Sequence, residues 1–355
     1  MNKTRVAVVF GGVSSEHEIS RLSASSVIRN LSVEKYELSL IGITKKGEWY
    51  LFGGDPEKIP DGSWENDCSN RSCMISPDAS RRGITVSGGS FIPVDVIFPV
   101  LHGKNGEDGT IQGLLELSRI PYVGCGVLAS SVCMDKAVTN LLLEQFGIAQ
   151  AKFVWCYTDD YLENPEPVER EIVQKLGFPV FVKPANAGSS VGISKVKRAE
   201  ELRSAMLLAA KEDGKLVIEE GIDGREVECA VLGNSRPIAS VPGEILPANE
   251  FYDYEAKYFD DNSKLCIPAQ LDETTTETLR STAVRAFRLL GCSGLSRVDF
   301  FVRRSDNAVL LNELNTLPGF TAISMYPKLF GAVGIGYGEL LDRLISLALE
   351  KNKGQ

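Results

Sequence analysis

The chain has 355 residues, of which 43% are hydrophobic and 24% charged, and a formal net charge of -9. This length exceeds a single ordinary core and predicts two or three domains, and the composition is that of a soluble globular protein. The negative charge and the lack of a basic run argue against a nucleic-acid partner. Eight scattered cysteines without a Cys-x-x-Cys pair, and only two histidines, argue against a disulfide framework, a zinc site or His-based triad chemistry.

We expect no targeting segment at the N-terminus. Its first apolar run, residues 6–10, is too short for the apolar region of a signal peptide or for a transmembrane helix. Scattered cysteines that need not pair fit a reducing compartment. We therefore expect a cytoplasmic protein with no membrane partner.

The first segment has the pattern of an α/β domain, expected to span residues 1–133. Residues 6–10 form a continuous apolar run, typical of a buried parallel strand, and a helical pattern follows at 18–30. Residues 53–90 are polar and rich in Gly and Ser, which predicts an elaborated loop or hairpin region. The other elements predicted here are strands at 38–43, 94–101 and 121–124 and a helix that begins near Thr110.

Two further domains are expected, at 134–220 and 221–355. A helix at 134–146 opens the first of them, and a strand at 216–219 ends it. The remaining predicted elements are, in chain order, strands at 179–184 and 193–196, a helix at 199–210, a strand at 226–232, a helix at 274–290, a hairpin at 295–315 and a helix at 337–349.

The predicted hairpin carries the most informative polar residues of the chain. Side chains alternate faces on a strand, so Arg297 and Asp299 share one face of its first strand, and Glu313 and Asn315 share one face of its second. Carboxylate and amide oxygens suit Mg²⁺, and a guanidinium can grip phosphates as a bidentate fork. The alternative is a solvated hairpin with ordinary surface charges, which fits less well because the carboxylates lie inside apolar strands.

Two Gly-rich turns follow predicted strands at the edge where ligands bind in open α/β sheets. The first runs from Gly11 through Ser14 to Glu16, and its carboxylate either binds a substrate ammonium or favours the helix dipole. The second begins at His102 and continues to Gly109. His102 either contacts a carboxylate or phosphate or has a structural role.

Lys183 and the small residues 188–192 have the composition of a phosphate-binding loop, although the P-loop pattern is missing. A simple flexible turn is the alternative. Glu219, at the end of an apolar strand, and Glu226 are placed to meet an adenine and a ribose, with solvated acids as the default. The aromatic and charged residues 251–258 suit a loop that closes over a site.

Seven motifs of the chain, taken together and in order, closely resemble the D-alanine–D-alanine ligases of the ATP-grasp superfamily. The resemblance covers nearly the whole chain. The motifs are Gly11-Gly12-x-Ser-x-Glu16, His102-Gly-x-x-Gly-Glu-Asp-Gly109, Met134-Asp-Lys136, Val182-Lys183-Pro184 with Gly188-Ser189-Ser190-Val-Gly192, Tyr252-Asp-Tyr-Glu-Ala-Lys257-Tyr258, Ser296-Arg297-x-Asp299 and Asn312-Glu313-x-Asn315-Thr-x-Pro-Gly319.

The resemblance implies a three-lobed ATP-grasp fold, α/β with an α+β ATP-binding part and an N-terminal Rossmann-like domain with a parallel sheet. It also implies a two-step reaction for peptidoglycan precursor synthesis. ATP phosphorylates the carboxylate of one D-alanine, and the amine of a second D-alanine attacks the acyl phosphate. A homodimer is implied as well.

The resemblance also implies the role of individual residues. Two Mg²⁺ or Mn²⁺ ions would be held by Asp299, Glu313 and Asn315. The nucleotide would be held by Lys136, Lys183, Ser189, Ser190, Glu219, Glu220, Ile222 and Glu226. The first D-alanine would meet Glu16 and His102, the oxyanion Arg297 and the Gly319 amide, and the second carboxylate Ser324 and Lys257. Ser189, Tyr258 and Glu16 would form a hydrogen-bonded triad that ties the closing loop to the site.

Two positions bear on the second substrate. Relatives that make D-alanyl-D-lactate carry His at the position of Tyr258, and relatives that make D-alanyl-D-serine tend to carry Arg at that of Met325, so both residues favour D-alanine. Residues 40–110 nevertheless also resemble the branch that uses D-serine. One departure is Ala187, where many members have an acidic or amide residue.

Three alternatives remain at this level. The first is a D-alanine–D-serine ligase of the same family, and the second is an ATP-grasp carboxylate–amine ligase with another acceptor. The third is a non-catalytic nucleotide-binding protein that kept the fold. The intact metal ligands and phosphate lysines argue against the last. The Glu16 motif and the Lys257-Tyr258 motif argue against ligases that resemble biotin carboxylase.

Overall fold

The computed structural model describes residues 3–188, 191–246 and 264–352, with the side chain of residue 352 left out. The described strands form three sheets, which follow one another along the chain. Within the described ranges, no helix is both long enough and apolar enough to cross a membrane.

The N-terminal sheet has seven strands in the order β6-β5-β4-β3-β2-β1-β7. β1 lies between β2 and β7 and pairs with both in parallel, as expected for its continuous apolar sequence, whereas β3 to β6 join as an antiparallel extension. The strands are β1 (Thr4–Gly11), β2 (Tyr36–Ile43), β3 (Trp49–Phe52), β4 (Arg71–Ile75), β5 (Gly83–Val86), β6 (Phe91–Pro93) and β7 (Val96–Val100). The predicted strand at 121–124 is reduced to one parallel bridge between Tyr122 and Ile97.

Helices of both ends of the chain cover this sheet. The helices before the second sheet are α1 (His17–Asn30), α2 (Thr110–Ser118), α3 (Val127–Met134) and α4 (Lys136–Gln145). The helix predicted at 134–146 is confirmed as α4, which begins at Lys136 because Asp135 adopts an extended conformation (φ -82°, ψ 98°) and separates it from α3. The sequence did not predict α3. The side chain of Asp135 accepts a hydrogen bond from the Val138 amide and caps α4, as aspartate favours at this position.

The second sheet has four antiparallel strands in the order β10-β9-β11-β8. Its apolar face packs against α6 and α7. The elements are β8 (Phe153–Tyr157), α5 (Thr158–Glu163), α6 (Pro165–Lys175), β9 (Val180–Pro184), β10 (Ser194–Val196), α7 (Ala199–Ala209) and β11 (Lys215–Glu220). The sequence did not predict β8, α5 and α6.

The third sheet has the path β15-β14-β12-β16-β17, with β13 paired to β12. β16 and β17 are the two strands of the predicted hairpin. The elements are β12 (Gly224–Gly233), β13 (Ile238–Ala239), β14 (Gly243–Leu246), β15 (Lys264–Cys266), α8 (Glu273–Leu289), β16 (Gly294–Arg303), β17 (Val309–Asn315), α9 (Met325–Gly331) and α10 (Tyr337–Asn352). α10 contacts α1 and β7 of the N-terminal unit, which joins the two ends of the chain in one core.

Trp64 anchors the polar segment 53–90, which the sequence predicted as a loop or hairpin region. Its side chain is fully buried and makes edge-on contacts with Phe10 and Phe52, at ring-centroid distances of 5.0 and 6.3 Å. Glycine at position 42 permits this packing, since a Cβ there would lie 2.2 Å from the indole ring. The segment is therefore part of the N-terminal core.

Replacing Trp64 by alanine is expected to destabilise the N-terminal unit. Removing a buried aromatic side chain typically costs about 3–5 kcal/mol, because the lost contacts leave a cavity. Urea unfolding would measure the change in stability, with Phe91→Ala as a control because Phe91 is 40% exposed. A Trp64→Ala protein as stable as the Phe91→Ala protein would show that the segment does not stabilise the fold.

Candidate active site

One cavity of about 740 Å³ gathers most of the residues that the sequence singled out. Strands of both antiparallel sheets line it, together with the turn that follows β1. The candidate residues in its wall are Glu16, Lys136, Lys183, Glu219, Glu220, Ile222, Glu226, Arg297, Asp299, Glu313, Asn315, Gly319, Ser324 and Met325. Residues far apart in sequence therefore form a single site.

The hairpin forms one wall of the cavity, and its polar side chains lie on the faces of the strands that were predicted for them. Asp299 lies opposite Glu313, and Arg297 lies opposite Asn315, so the four side chains share one face. The Arg297 guanidinium donates two hydrogen bonds to Asp299, from Nε to Oδ1 (2.7 Å) and from Nη2 to Oδ2 (2.6 Å). Burial lowers the pKa of Arg297, but the Asp299 and Glu228 carboxylates outweigh it and hold that pKa well above its ordinary value.

Glu219 links two elements of the second sheet to α4. Its carboxylate accepts a hydrogen bond from Lys183 Nζ at Oε2 (2.5 Å) and another from Asn140 Nδ2 at Oε1 (3.0 Å). Burial lowers the pKa of Lys183, but the Glu219 carboxylate outweighs it, and the net shift is upward. Lys183 is therefore held as a cation inside the cavity wall.

Lys136 begins α4 and points into the same region. Its Nζ donates to the carbonyl of Ala187 (2.9 Å) and lies 4.0 Å from Glu313 Oε2. Its backbone amide donates to the carbonyl of Ala185. The lysine thus lies between the loop that follows β9 and the hairpin.

Glu16 reaches the cavity from the turn after β1, and its side chain is buried. Glycine backbones approach its carboxylate closely. A Cβ at Gly103 would lie 2.5 Å from Glu16 Oε2, and a Cβ at Gly188 would lie 2.8 Å from the same atom. A side chain at either position would displace the Glu16 carboxylate, so glycine at both lets the turn after β7 and the loop after β9 approach it closely.

His102 lies behind the cavity wall, and both ring nitrogens contact the protein. Nδ1 donates to the carbonyl of Leu317 (3.0 Å), and Nε2 lies 3.1 Å from Ser23 Oγ, which also accepts from the Phe320 amide. Burial lowers the pKa of His102, but the Glu107 carboxylate, 3.6 Å from Nδ1, raises it, and the net shift is upward. His102 therefore connects the N-terminal unit to the loop after β17.

The loop after β17 holds two further candidates. Gly319 and Ser324 both line the cavity. Ser324 precedes α9, and its Oγ accepts a hydrogen bond from the Thr321 amide (2.9 Å). The Leu317 amide donates to Asn315 Oδ1 (3.0 Å), which orients the amide side chain at the end of the hairpin.

Four predicted site residues lie outside the described residues. They are Ser189, Ser190, Lys257 and Tyr258.

The cavity wall also contains charged residues that were not predicted from the sequence, among them Glu228, Arg225 and Glu244. Glu228 contacts Arg297, with Oε2 3.2 Å from Nε, and Arg225 and Glu244 form a bidentate pair with distances of 2.7 and 2.6 Å. The alternation of Glu226 and Glu228 along β12 places both on one face of the strand, and this period-2 pattern could have identified Glu228.

Comparison with known proteins matches both parts of the chain to one family. The family models described as D-ala D-ala ligase N-terminus and D-ala D-ala ligase C-terminus match residues 5–125 and 142–346. A D-alanine–D-alanine ligase of Caldicellulosiruptor bescii is 52% identical over 99% of this chain and 97% of that protein. A second one, from Acetivibrio thermocellus, is 49% identical over 99% of this chain and 97% of its own length.

Solved structures agree with these matches. The VanG D-Ala:D-Ser ligase of Enterococcus faecalis has a TM-score of 0.90 and 42% identity, covering 98% of this chain and 100% of that one. The D-alanine–D-alanine ligase of Coxiella burnetii has a TM-score of 0.87 and 37% identity, covering 99% and 97%. The mixed α/β architecture is the ATP-grasp fold of these neighbours. The chain therefore belongs to the D-alanine–D-alanine ligase family.

Proposed function

We propose that this protein joins two D-alanine molecules to D-alanyl-D-alanine at the expense of ATP, for the synthesis of peptidoglycan precursors. The observation that carries the proposal is the arrangement of one cavity, with Glu16 in one wall and the group of Arg297, Asp299 and Glu313 in another. One small substrate can therefore place its ammonium group at Glu16 and, in the same cavity, reach the residues proposed to bind phosphate. Relatives about 50% identical over their full length bear the ligase name.

The nucleotide is proposed to lie between the second and third sheets. Lys136 and Lys183 provide two cations for its phosphates, and the contact of Lys183 with Glu219 fixes the position of one of them. The strand end formed by Glu219, Glu220 and Ile222 would face the adenine, Glu226 the ribose, and Ser189 and Ser190 the phosphates.

Asp299, Glu313 and Asn315 fit a divalent cation that is shared with phosphate oxygens. Within the described ranges, no cluster of three or more His, Cys, Asp or Glu side chains is placed to hold a metal. Two carboxylates and one amide are instead the partial ligand set with which Mg²⁺ binds nucleotide phosphates. We propose that these residues hold two Mg²⁺ or Mn²⁺ ions, which would supply charge neutralisation during phosphoryl transfer.

The proposed substrate contacts are those that the resemblance to the ligase family implies. The buried carboxylate of Glu16 would bind the ammonium of the first D-alanine, with His102 near the carboxylate of that molecule. Ser324 and Lys257 would bind the carboxylate of the second D-alanine, beside Met325. The proposed triad of Ser189, Tyr258 and Glu16 would tie the closing loop to the first substrate.

The reaction then needs positioning and charge stabilisation more than new covalent chemistry on the protein. An oxygen of the first carboxylate attacks the γ-phosphorus, and ADP leaves. The amine of the second D-alanine attacks the carbonyl carbon, and the tetrahedral intermediate expels phosphate. Arg297 and the Gly319 amide would stabilise its oxyanion. Closure of the cavity would keep water from the acyl phosphate.

We propose lobes at 1–133, 134–220 and 221–355, because each contains one of the three sheets. We also propose a homodimer. A cytoplasmic reaction is proposed, because ATP is needed and the described cysteines are free thiols.

A D-alanine–D-serine ligase is the second candidate, favoured by the 42% identity to VanG. Met325 argues for D-alanine, because this buried apolar residue lines the cavity beside Ser324 and offers no donor to a serine hydroxyl. The test is to supply ATP, Mg²⁺ and D-alanine, alone or with D-serine or D-lactate, and to identify the products by mass. D-alanyl-D-alanine as the main product supports the proposal. D-alanyl-D-serine as the main product from the mixture contradicts its specificity, and no D-alanine-dependent phosphate release contradicts it altogether.

Replacing Glu16 by glutamine is expected to weaken binding of the first D-alanine. A hydrogen bond to a charged group contributes about 1.5–3 kcal/mol, so KM for that substrate should rise roughly ten- to a hundredfold while KM for ATP changes little. Steady-state kinetics with each substrate varied would measure both constants. Glu18→Gln is the matched control, since Glu18 lies in the same helical turn but pairs with Lys45 at the surface. An effect of Glu16→Gln on ATP alone would contradict the assignment.

A further inference from the structure

Glu228 is a buried carboxylate in the cavity wall that the proposed reaction does not yet use. The residue is 7% exposed, and its Oε2 lies 3.2 Å from Nε of Arg297. A carboxylate is rarely buried without a partner, because removing it from water is costly. Its position next to the Arg297 guanidinium therefore indicates that Glu228 has a function in the site.

The strand register places Glu228 in a row of acidic residues. On the third sheet Glu228 lies opposite Asp299, and Asp299 lies opposite Glu313. Like charges directly opposite each other on neighbouring strands are unfavourable. Arg297 supplies positive charge to this row and contacts two of its members, Glu228 and Asp299.

Arg297 contacts two carboxylates, and the proposed reaction gives a second role to only one of them. Asp299 is also a proposed metal ligand, and its two oxygens are both engaged by the guanidinium. An oxygen that binds a cation is no longer fully available to Arg297. Glu228 has no such second role in the proposed reaction.

Resting on the function proposed above, we propose that Glu228 is a positioning residue for Arg297. It holds the guanidinium in the cavity wall when Asp299 turns towards the metal site. The Nε–H now donates to Asp299 Oδ1, and Glu228 Oε2 lies 3.2 Å from the same nitrogen. When Asp299 binds the metal, that N–H would pass to Glu228, and the four N–H groups on the two Nη atoms would serve the developing oxyanion. Glu228 thus acts through Arg297 and makes no contact with the reacting atoms.

A purely structural ion pair would show a different pattern, and the chain offers a comparison for it. Arg225 and Glu244 form a bidentate pair in the same cavity wall, and Glu244 is also 7% exposed. Glu244→Gln removes an equally buried charge on the neighbouring strand without a contact to Arg297 among the described interactions. It is therefore a matched control for Glu228→Gln.

The experiment compares wild type, Glu228→Gln, Glu228→Asp and Glu244→Gln in three measurements. The first is kcat and KM for dipeptide formation. The second is calorimetric affinity, in the presence of Mg²⁺ and ADP, for a phosphinate dipeptide analogue whose tetrahedral phosphorus resembles the proposed intermediate. The third is the melting temperature of the protein without ligands, which reports structural damage.

For Glu228→Gln we expect kcat to fall about ten- to a hundredfold, KM for ATP to stay within about twofold, and phosphinate affinity to fall by a factor similar to that of kcat. Glu228→Asp, which keeps the charge, should recover part of both. Wild-type kcat and phosphinate affinity in Glu228→Gln would overturn the inference, as would equal losses of kcat in Glu228→Gln and Glu244→Gln. Absence of dipeptide from the wild-type protein would instead overturn the proposed function, and this inference with it.

Discussion

Glu313→Gln is expected to lower kcat by about a thousandfold, because the carboxylate supplies charge that neutralises the phosphates in the transition state. Glutamine keeps the size of the side chain and one oxygen, so the strand pairing of β17 with β16 should remain. The Mg²⁺ concentration for half-maximal activity should rise at the same time. Initial rates measured across a Mg²⁺ titration give both quantities.

Asp306→Asn is the control for this prediction. Asp306 lies in the turn of the same hairpin, where it pairs with Arg303 and its side chain is 49% exposed. Removing this surface charge should leave turnover and the Mg²⁺ titration near wild type. Unchanged Mg²⁺ dependence and turnover in Glu313→Gln would contradict the assignment of the metal site to the hairpin.

Arg297→Lys is expected to lower kcat about a hundred- to a thousandfold although it conserves the charge. Lysine presents a compact ammonium and cannot form the two-pronged contact that Arg297 makes with Asp299. Loss of one donor aimed at an oxyanion typically costs about this much in turnover. Steady-state kinetics should show the loss in kcat, with KM for ATP changed much less.

Arg303→Lys serves as the reference, since Arg303 ends the same strand and pairs with Asp306 at the surface. It should retain wild-type kinetics and a wild-type melting temperature. If Arg297→Lys also kept wild-type kcat, the guanidinium would not act on the oxyanion, and the positioning role of Glu228 would lose its basis.

Sequence patterns predicted much of the fold where periodicity was strong. The buried run of β1, helix α1 and the hairpin of β16 and β17 lie close to their predicted positions. Helix α4 lies within its predicted range of 134–146, and the capping preference of Asp135 decides that it begins at Lys136. Helices α5 and α6 were missed, and the sequence of α6 is largely polar, with Ile172 its one fully buried residue among those described.

The candidate site was predictable where residues share a strand or a motif. The alternation of side chains along each strand predicted that Arg297 shares a face with Asp299 and Glu313 with Asn315, and this prediction does not depend on how the two strands pair. The pairing of Arg297 with Glu228 could not be predicted, because it depends on which strand lies beside β16. The position of His102 behind the wall was also hidden, since its partners Ser23 and Leu317 are distant in sequence.

The proposed function requires that the protein activates the carboxylate of D-alanine by transferring a phosphoryl group to it. The most direct measurement uses D-alanine labelled with ¹⁸O in its carboxylate and determines the label in the phosphate released. One carboxylate oxygen bridges carbon and phosphorus in an acyl phosphate and leaves with the phosphorus when the amine attacks. We therefore predict one ¹⁸O atom in each phosphate released with a dipeptide. Unlabelled phosphate accompanying dipeptide formation would contradict the acyl-phosphate route.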